Sequence, residues 1–292
     1  MTNREVTLLT VCWRPDADRF ALQRESIVRL GMAYHHVVVA PPEDHDVFAR
    51  FAAHDRIELL STADMLGPKM DARRRKAASR GYPRRLGHRL QGLTKLAFAA
   101  TSSAEAVVCL DADAFFVRPL LHAHVFSDSG RCLLYEWPSH DTAMPDWEAY
   151  AAAFLGVPPY EGARWSYQDV PFVFEPGTVR RLVSQISRAH GADWMKAMLR
   201  ARAFDYATYG VFARHIDRFA TVTPRVPDIA LSYWFRTDWH ERAHMARIVA
   251  EDERIAVVLV QSTLGISVND YRAEVASLWP GGDSSGTFST AT

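Results

Sequence analysis

Short apolar runs alternate with amphipathic stretches through the first hundred residues. Residues 6–11, Val-Thr-Leu-Leu-Thr-Val, read as a strand. Residues 16–30 carry apolar positions at helical spacing and stop at Gly31, a residue suited to the left-handed position just past a helix end. Residues 36–40 form a valine-rich run closed by Pro41-Pro42, which predicts a buried strand; 43–53 read as helix and 57–60 as another short strand. This β-α-β-α-β order predicts a parallel sheet with helices on both faces. Sheets of that kind take ligands at the carboxyl ends of their strands.

The rhythm breaks at residues 62–85, where Gly67-Pro68, Gly81 and Pro83 accompany Arg73, Arg74, Arg75, Lys76, Arg80, Arg84 and Arg85. The pattern predicts a long basic excursion with a helical turn around 70–79. Residues 86–100 put Leu90, Leu93, Leu96 and Ala97 on one face of a helix, and 106–110 form a strand that ends in Asp111-Ala112-Asp113. Further strands are expected at 131–136, 170–174 and 255–261. Further helices are expected at 146–155, from Pro176 onward, near 192–202 and 206–216, and at 269–278. The Gly/Ser/Thr-rich residues 281–292 are expected to be a disordered tail. With no internal repeat and no linker, residues 1–280 are expected to form a single domain.

The feature with chemistry in it is Val107-Val108-Cys109-Leu110-Asp111-Ala112-Asp113. A buried strand ends in two carboxylates one residue apart. In extended chain such residues share a side, about 7 Å apart, and repel unless a cation sits beside them. A hard divalent ion, Mg²⁺ or Mn²⁺, takes oxygen ligands and shares them with phosphates, so it can neutralise a departing diphosphate. A bare DxD occurs often by chance, and its place after an apolar strand in a βαβ array is what raises it. Phosphatases of the haloacid dehalogenase type also carry a DxD after a strand, near the chain start and with Thr or Val two residues beyond. Here the pair begins at residue 111 and Phe115 holds that position.

The segment Gly87-His88-Arg89-Leu90-Gln91-Gly92-Leu93-Thr94-Lys95-Leu96, the Asp111-Ala112-Asp113 strand end and Phe115-Phe116-Val117-Arg118-Pro119 resemble a bacterial, largely uncharacterised family of GT-A-like glycosyltransferases. Members carry a Gln- and Lys-bearing helix before the DxD and an apolar stretch ending in Arg-Pro after it. Phe204-Asp205-Tyr206-Ala207-Thr208-Tyr209-Gly210 resembles the family's acidic-Tyr-x-x-Tyr-Gly segment, and Gln261-Ser262 its late Gln-Ser segment. The resemblance implies a GT-A-like Rossmann-type α/β fold, with a mixed, mainly parallel sheet flanked by helices. Residues 1–120 would bind a nucleotide sugar and 121–280 the acceptor. It implies Asp113 as direct metal ligand, with Asp111 facing the ribose or the metal's water shell. Gln91 and Lys95 would line the donor pocket, where we also expect Thr10 and Arg89. Asp205 would be the general base for the acceptor hydroxyl, although Asp at a helix start is also a favoured N-cap. The chain departs from the family at Gln168-Asp169, where relatives carry histidines; Asp169 is kept as a second candidate for acceptor contact.

Composition narrows the partners. Lys+Arg and Asp+Glu are both 34, so nothing overall calls for nucleic acid. Three cysteines without a CxxC pair predict no disulfide framework. The opening run is too short for a signal-peptide core, and no stretch approaches a membrane-spanning length. The chain is therefore expected to be cytoplasmic without a transmembrane segment, compatible with peripheral membrane contact. Among the histidines, His122 and His124 lack a third ligand. His240-Glu241-Arg242-Ala243-His244 matches the zinc-protease pattern literally, on a polar stretch with no further ligand in view. Trp137, Trp147, Trp165 and Trp234 suit sugar stacking or core packing equally.

The expected activity is transfer of a sugar from a UDP-, GDP- or dTDP-linked donor to a hydroxyl of a glycan, lipid or small molecule, with Mn²⁺ or Mg²⁺. A metal-dependent phosphatase and a non-catalytic nucleotide-sugar or glycan binder on the same fold are the alternatives.

Overall fold

The computed structural model describes residues 5–52, 56–79, 84–138, 146–158, 165–167, 170–226, 229–236, 239 and 245–279. In chain order the strands are β1 (Val6–Val11), β2 (His35–Ala40), β3 (Ile57–Ser61), β4 (Ala106–Cys109), β5 (Ala114–Phe116), β6 (Cys132–Tyr135), β7 (Trp137–Pro138), β8 (Trp165–Ser166), β9 (Phe172–Phe174), β10 (Val222–Arg225), β11 (Ala230–Tyr233) and β12 (Val257–Val260). The α-helices are α1 (Ala17–Arg29), α2 (His45–Ala52), α3 (Thr62–Ala78), α4 (Arg84–Thr101), α5 (Trp147–Leu155), α6 (Pro176–His190), α7 (Trp194–Ala201), α8 (Asp205–Val211), α9 (Met245–Glu251) and α10 (Arg272–Ser277). The chain forms two compact units. One comprises Met1–Trp13, Tyr34–Leu110 and His122–Pro227, the other Arg14–Ala33, Asp111–Leu121 and Asp228–Thr292.

The first unit is built on a five-stranded sheet in the order β3-β2-β1-β4-β9. The first four strands run parallel and β9 pairs antiparallel with β4. Buried strands in a helix-covered sheet lose the in–out alternation of surface strands, and β1, β2 and β4 are buried along nearly their whole length. Two polar residues inside this sheet satisfy each other: Thr10 Oγ1 lies 3.0 Å from His36 Nε2. On α4 the predicted stripe Leu90, Leu93, Leu96 and Ala97 is buried.

The basic excursion expected at 62–85 is corrected. Residues 62–78 are helical, with the path broken only at Gly67 (φ 73°, ψ 164°), and Pro68 restarts the helix. The reason lies at Arg74, which points inward. Its Nε donates to Asp71 Oδ1 (2.7 Å) and its terminal nitrogens to both oxygens of Glu43 (2.6 and 2.9 Å). Paired in this way, a guanidinium can be buried beside Leu66 and Met70. Downstream, Asp146 and Gly156 bound α5 as expected, the first by accepting the Ala149 N–H and the second in the left-handed conformation.

The second unit contains a three-stranded sheet, β11-β12-β5, in which β11 runs parallel and β5 antiparallel to β12. Its core gathers Leu22, Phe115, Val258, Val260, Trp239, Tyr271 and Trp279. Strand β5 is held from two sides: Ser26 Oγ of α1 accepts the Phe116 N–H (3.0 Å), and Trp279 Nε1, beyond α10, donates to Phe116 O (2.8 Å). All three cysteines are buried and free. Among the described residues no helix is long and apolar enough to cross a membrane.

Candidate active site

Strand β4 ends at Cys109, and the chain then runs through Asp111-Ala112-Asp113 into β5. Within the second unit this turn is pinned from below. The Ala114 N–H donates to Asp111 O (3.0 Å), and buried Gln23 donates to the carbonyls of Asp111 (2.7 Å) and Ala114 (2.8 Å). Asp111 is half-buried, while Asp113 is only 6% exposed. Asp113 Oδ2 accepts the Ser262 N–H at 2.6 Å, and its backbone carbonyl accepts the Val260 N–H at 3.1 Å. Burial, reinforced by the charge of Asp111, pushes the Asp113 carboxyl up to about 6 despite the Ser262 N–H.

A carboxylate held dry beside a second carboxylate is a site that a cation relieves. Among the described residues no group of three or more His, Cys, Asp and Glu is arranged for a metal. The oxygen pair fits an ion of the Mg²⁺ type, which takes one or two protein carboxylates and completes its shell with waters and phosphate oxygens. His122, one of the two histidines weighed as ligands, opens a short 3₁₀ turn and packs tilted against Phe126 (4.7 Å between ring centres).

The first unit gathers a different set. On α4, Gln91 Nε2 donates to the carbonyl of Val11 (3.1 Å), the last residue of β1. One turn on, Lys95 is 3% exposed and its Nζ donates to the Tyr206 hydroxyl at 2.8 Å. Arg89 is half-buried on the same helix, and Thr10 is wholly buried against His36. Asp205 is the first residue of α8 and is 2% exposed; the N-cap is Phe204, with no side-chain cap bond. The capping role that a sequence reading allows for Asp205 is therefore not the one it performs. Its carboxyl packs on the backbone of α4 at Gly92, where a Cβ would meet Asp205 Cγ at 2.7 Å and Oδ1 at 2.8 Å.

Gln91, Lys95, Asp205 and Tyr206 thus come together in the first unit, and Asp111 and Asp113 in the second. Asp169 lies outside the described residues, as do His240, His244 and Gly81. Substituting Gly92→Ala is expected to displace Asp205. Thermal melts should show a loss of about 2 kcal/mol, within the range for overpacking a tight contact. Unchanged melting would mean that the Asp205 carboxyl does not sit on the helix backbone.

Sequence reading missed Trp13 and the grouping of Trp147, named above as a stacking candidate, with Phe204 and His88. Trp13, two residues beyond the carboxyl end of β1, leaves 39% of its surface exposed. Its position after a predicted strand was the available signal. An aromatic group joins Trp147, stacked on Phe204 at 4.7 Å, with His88 at 4.8 Å from the same ring. These residues are far apart in sequence, so no local pattern announces them.

Residues 8–283 match the model of a family of unknown function, DUF6492. The chain belongs to this family. No curated protein matches this chain by sequence. Among solved structures, the chain is similar to the galactosyltransferase LgtC in complex with donor and acceptor sugar analogs. The TM-score is 0.52 and the identity 13%, over 93% of this chain and 95% of that one. An active-site mutant of LgtC (TM-score 0.49, 12% identity, 94% and 96% covered) and the apo structure of the bifunctional glycosyltransferase WbbM (0.48, 12%, 96% and 51%) are also similar. The likeness to LgtC is one of fold. This DUF6492 chain has the expected GT-A-like α/β architecture, with a mainly parallel central sheet and flanking helices.

Proposed function

We propose that this DUF6492 protein is a metal-dependent glycosyltransferase, moving a sugar from a nucleotide-sugar donor to a hydroxyl of a glycan, lipid or small molecule. The observation that carries the reading is the buried Asp113 beside Asp111 at the end of a parallel strand, in a chain with the fold of a galactosyltransferase. In this reading Asp113 is the direct ligand and Asp111 faces the ribose or the metal's water shell. A divalent ion, when bound, stabilises the charge of the departing diphosphate. Gln91, Lys95 and Arg89 hold the donor. Thr10, hydrogen-bonded to His36 near the end of β1, is the further residue proposed on the donor side. Asp205 takes the proton of the acceptor hydroxyl, and Asp169 is the second carboxylate proposed for that side.

The test is a thermal-shift series with UDP, GDP, dTDP and CDP, each with and without Mn²⁺. A ligand at a hundredfold excess over its dissociation constant adds about 2.7 kcal/mol to the native state. One nucleotide is expected to raise the melting temperature by roughly 5–10 °C, and only with metal. If none does so under either condition, the reading fails. Asp205→Asn is expected to lower turnover at least about 10²-fold while leaving the nucleotide-dependent shift intact. Loss of both would make Asp205 a packing residue against Gly92.

A further inference from the structure

The positive charge on α3 is not used by the glycosyltransferase reading, and it is unevenly arranged. Lys69, Arg73 and Lys76 are all exposed. At 100° per residue, positions 69, 73 and 76 fall within one narrow stripe. Arg75 lies at its margin with 63% of its side chain exposed, and contacts Asp71 at 3.4 Å. The opposite face is buried, and it is there that Arg74 holds the Asp71 and Glu43 carboxylates. Asp71 is thus buried and Glu43, half exposed, is engaged by Arg74, while the stripe at 69, 73 and 76 itself carries only cations. None of Lys69, Arg73 and Lys76 pairs with a carboxylate among the described residues. The concentration is local, because the whole chain balances 34 basic against 34 acidic residues. In the sequence Arg80, Arg84 and Arg85 follow close behind.

We propose that this face of α3 docks on an anionic lipid bilayer. The chemistry that recognises it is a sheet of negative headgroups, against which each Lys or Arg near the surface contributes about fivefold in partitioning. Flanking the stripe is exposed Ala72, a small residue that lets the helix lie close to a surface. Single-stranded nucleic acid is the other polyanion, but its recognition needs aromatic rings among the cations. The exposed face of α3 from Lys69 to Ser79 has none. The inference stands apart from the proposed glycosyl transfer and does not depend on it.

The experiment is vesicle co-sedimentation of the full chain. It compares phosphatidylcholine vesicles with vesicles that also contain phosphatidylglycerol, at low and high salt. The wild type is compared with Lys69→Ala/Arg73→Ala/Lys76→Ala, and with a control that removes three exposed cations from other helices, Lys196→Ala/Arg200→Ala/Arg247→Ala. The expected result is binding to the anionic vesicles only, lost at high salt, weakened about a hundredfold in the α3 variant and kept by the control. Alanine favours helix, and a melting curve checks the fold; should the variant melt early, the glutamine set at the same three positions replaces it. Equal binding to both vesicle types overturns the proposal, as does an α3 variant that binds like the wild type. Binding of an RNA oligomer through these residues, without vesicle binding, overturns it as well.

Discussion

Replacing Asp113 by Asn is expected to lower glycosyl transfer by about 10³-fold or more and, in the metal-free protein, to raise the melting temperature at neutral pH. The two effects have one source. A carboxyl whose value is about 6 in the fold and 3.8 in its ordinary state binds more protons when folded than when unfolded across that interval. Stability from this group is present at the acid end and is lost as pH rises through the interval. Above pH 6 the native protein therefore holds an ionised carboxylate in a buried place, next to Asp111, at a cost. Asparagine carries no charge, and its amide oxygen can still accept the Ser262 N–H that Asp113 accepts at 2.6 Å. Melts of the metal-free variant should therefore exceed the wild type at about pH 7.5, by less as pH falls through the interval, and converge with it only below about pH 4. With metal and nucleotide the order reverses, because only the wild type gains the ligand-dependent rise. A variant that is inactive yet destabilised at neutral pH would make Asp113 a structural acid, and the proposed metal role would fall with it.

The parts of this molecule that were legible in sequence are those where one residue type has few alternatives. Strands β1, β2, β4 and β12 are buried along nearly their whole length, so they appear as mainly apolar runs without in–out alternation. Helix ends marked by Gly31, Gly156 and Pro176 were visible because each relies on a special backbone geometry. Helix α3 was visible only as a helical turn around 70–79, since its buried face includes Arg74 and Asp71, which a hydrophobicity pattern counts as exposed. Strands β5 and β11 hid for another reason: each has three or four residues and pairs with β12, far away in sequence.

The candidate site shows the same division. Asp111 and Asp113 declare themselves because two acids end an apolar strand. Their partner Ser262 does not, because it gives a backbone N–H that any residue but proline could supply, 149 residues away. A lysine on a helix is by type a solvated residue, and nothing next to Lys95 in sequence marks it as buried. Its burial goes with Tyr206, 111 residues on, whose hydroxyl accepts a hydrogen bond from its Nζ. The Gly92 contact with Asp205 has no local signature at all, because the glycine sits inside a regular helix and is required only by what packs on it.

Gly210 on α8 gives the largest expected change in stability. On helix propensity alone, Gly210→Ala should gain about 1 kcal/mol. Packing opposes it: a Cβ there would lie 2.3 Å from two atoms of the Tyr167 ring and 2.5 Å from a third. The ring cannot turn aside as a flexible side chain would, since it is rigid and 1% exposed. Nor can it slide freely, because its hydroxyl is within hydrogen-bonding reach of Glu136, a buried acid paired with Arg214. Overpacking against so fixed a neighbour should outweigh the propensity gain and leave a net loss of about 2–3 kcal/mol. That corresponds to a fall of roughly 5–10 °C in melting temperature for a domain of this size. The comparison is Gly156→Ala, where the glycine is left-handed (φ 70°) with open space around the Cβ position; it should cost about 1 kcal/mol. Combining Gly210→Ala with Tyr167→Val separates the causes. Removing the ring leaves a void, so Tyr167→Val is destabilising alone. If steric conflict is the origin, adding Gly210→Ala to it should cost little or even stabilise, a coupling well above the few tenths expected of independent sites. An unchanged penalty in the double variant would place the cost in the helix backbone itself and would mean that Tyr167 is not what requires glycine at this position.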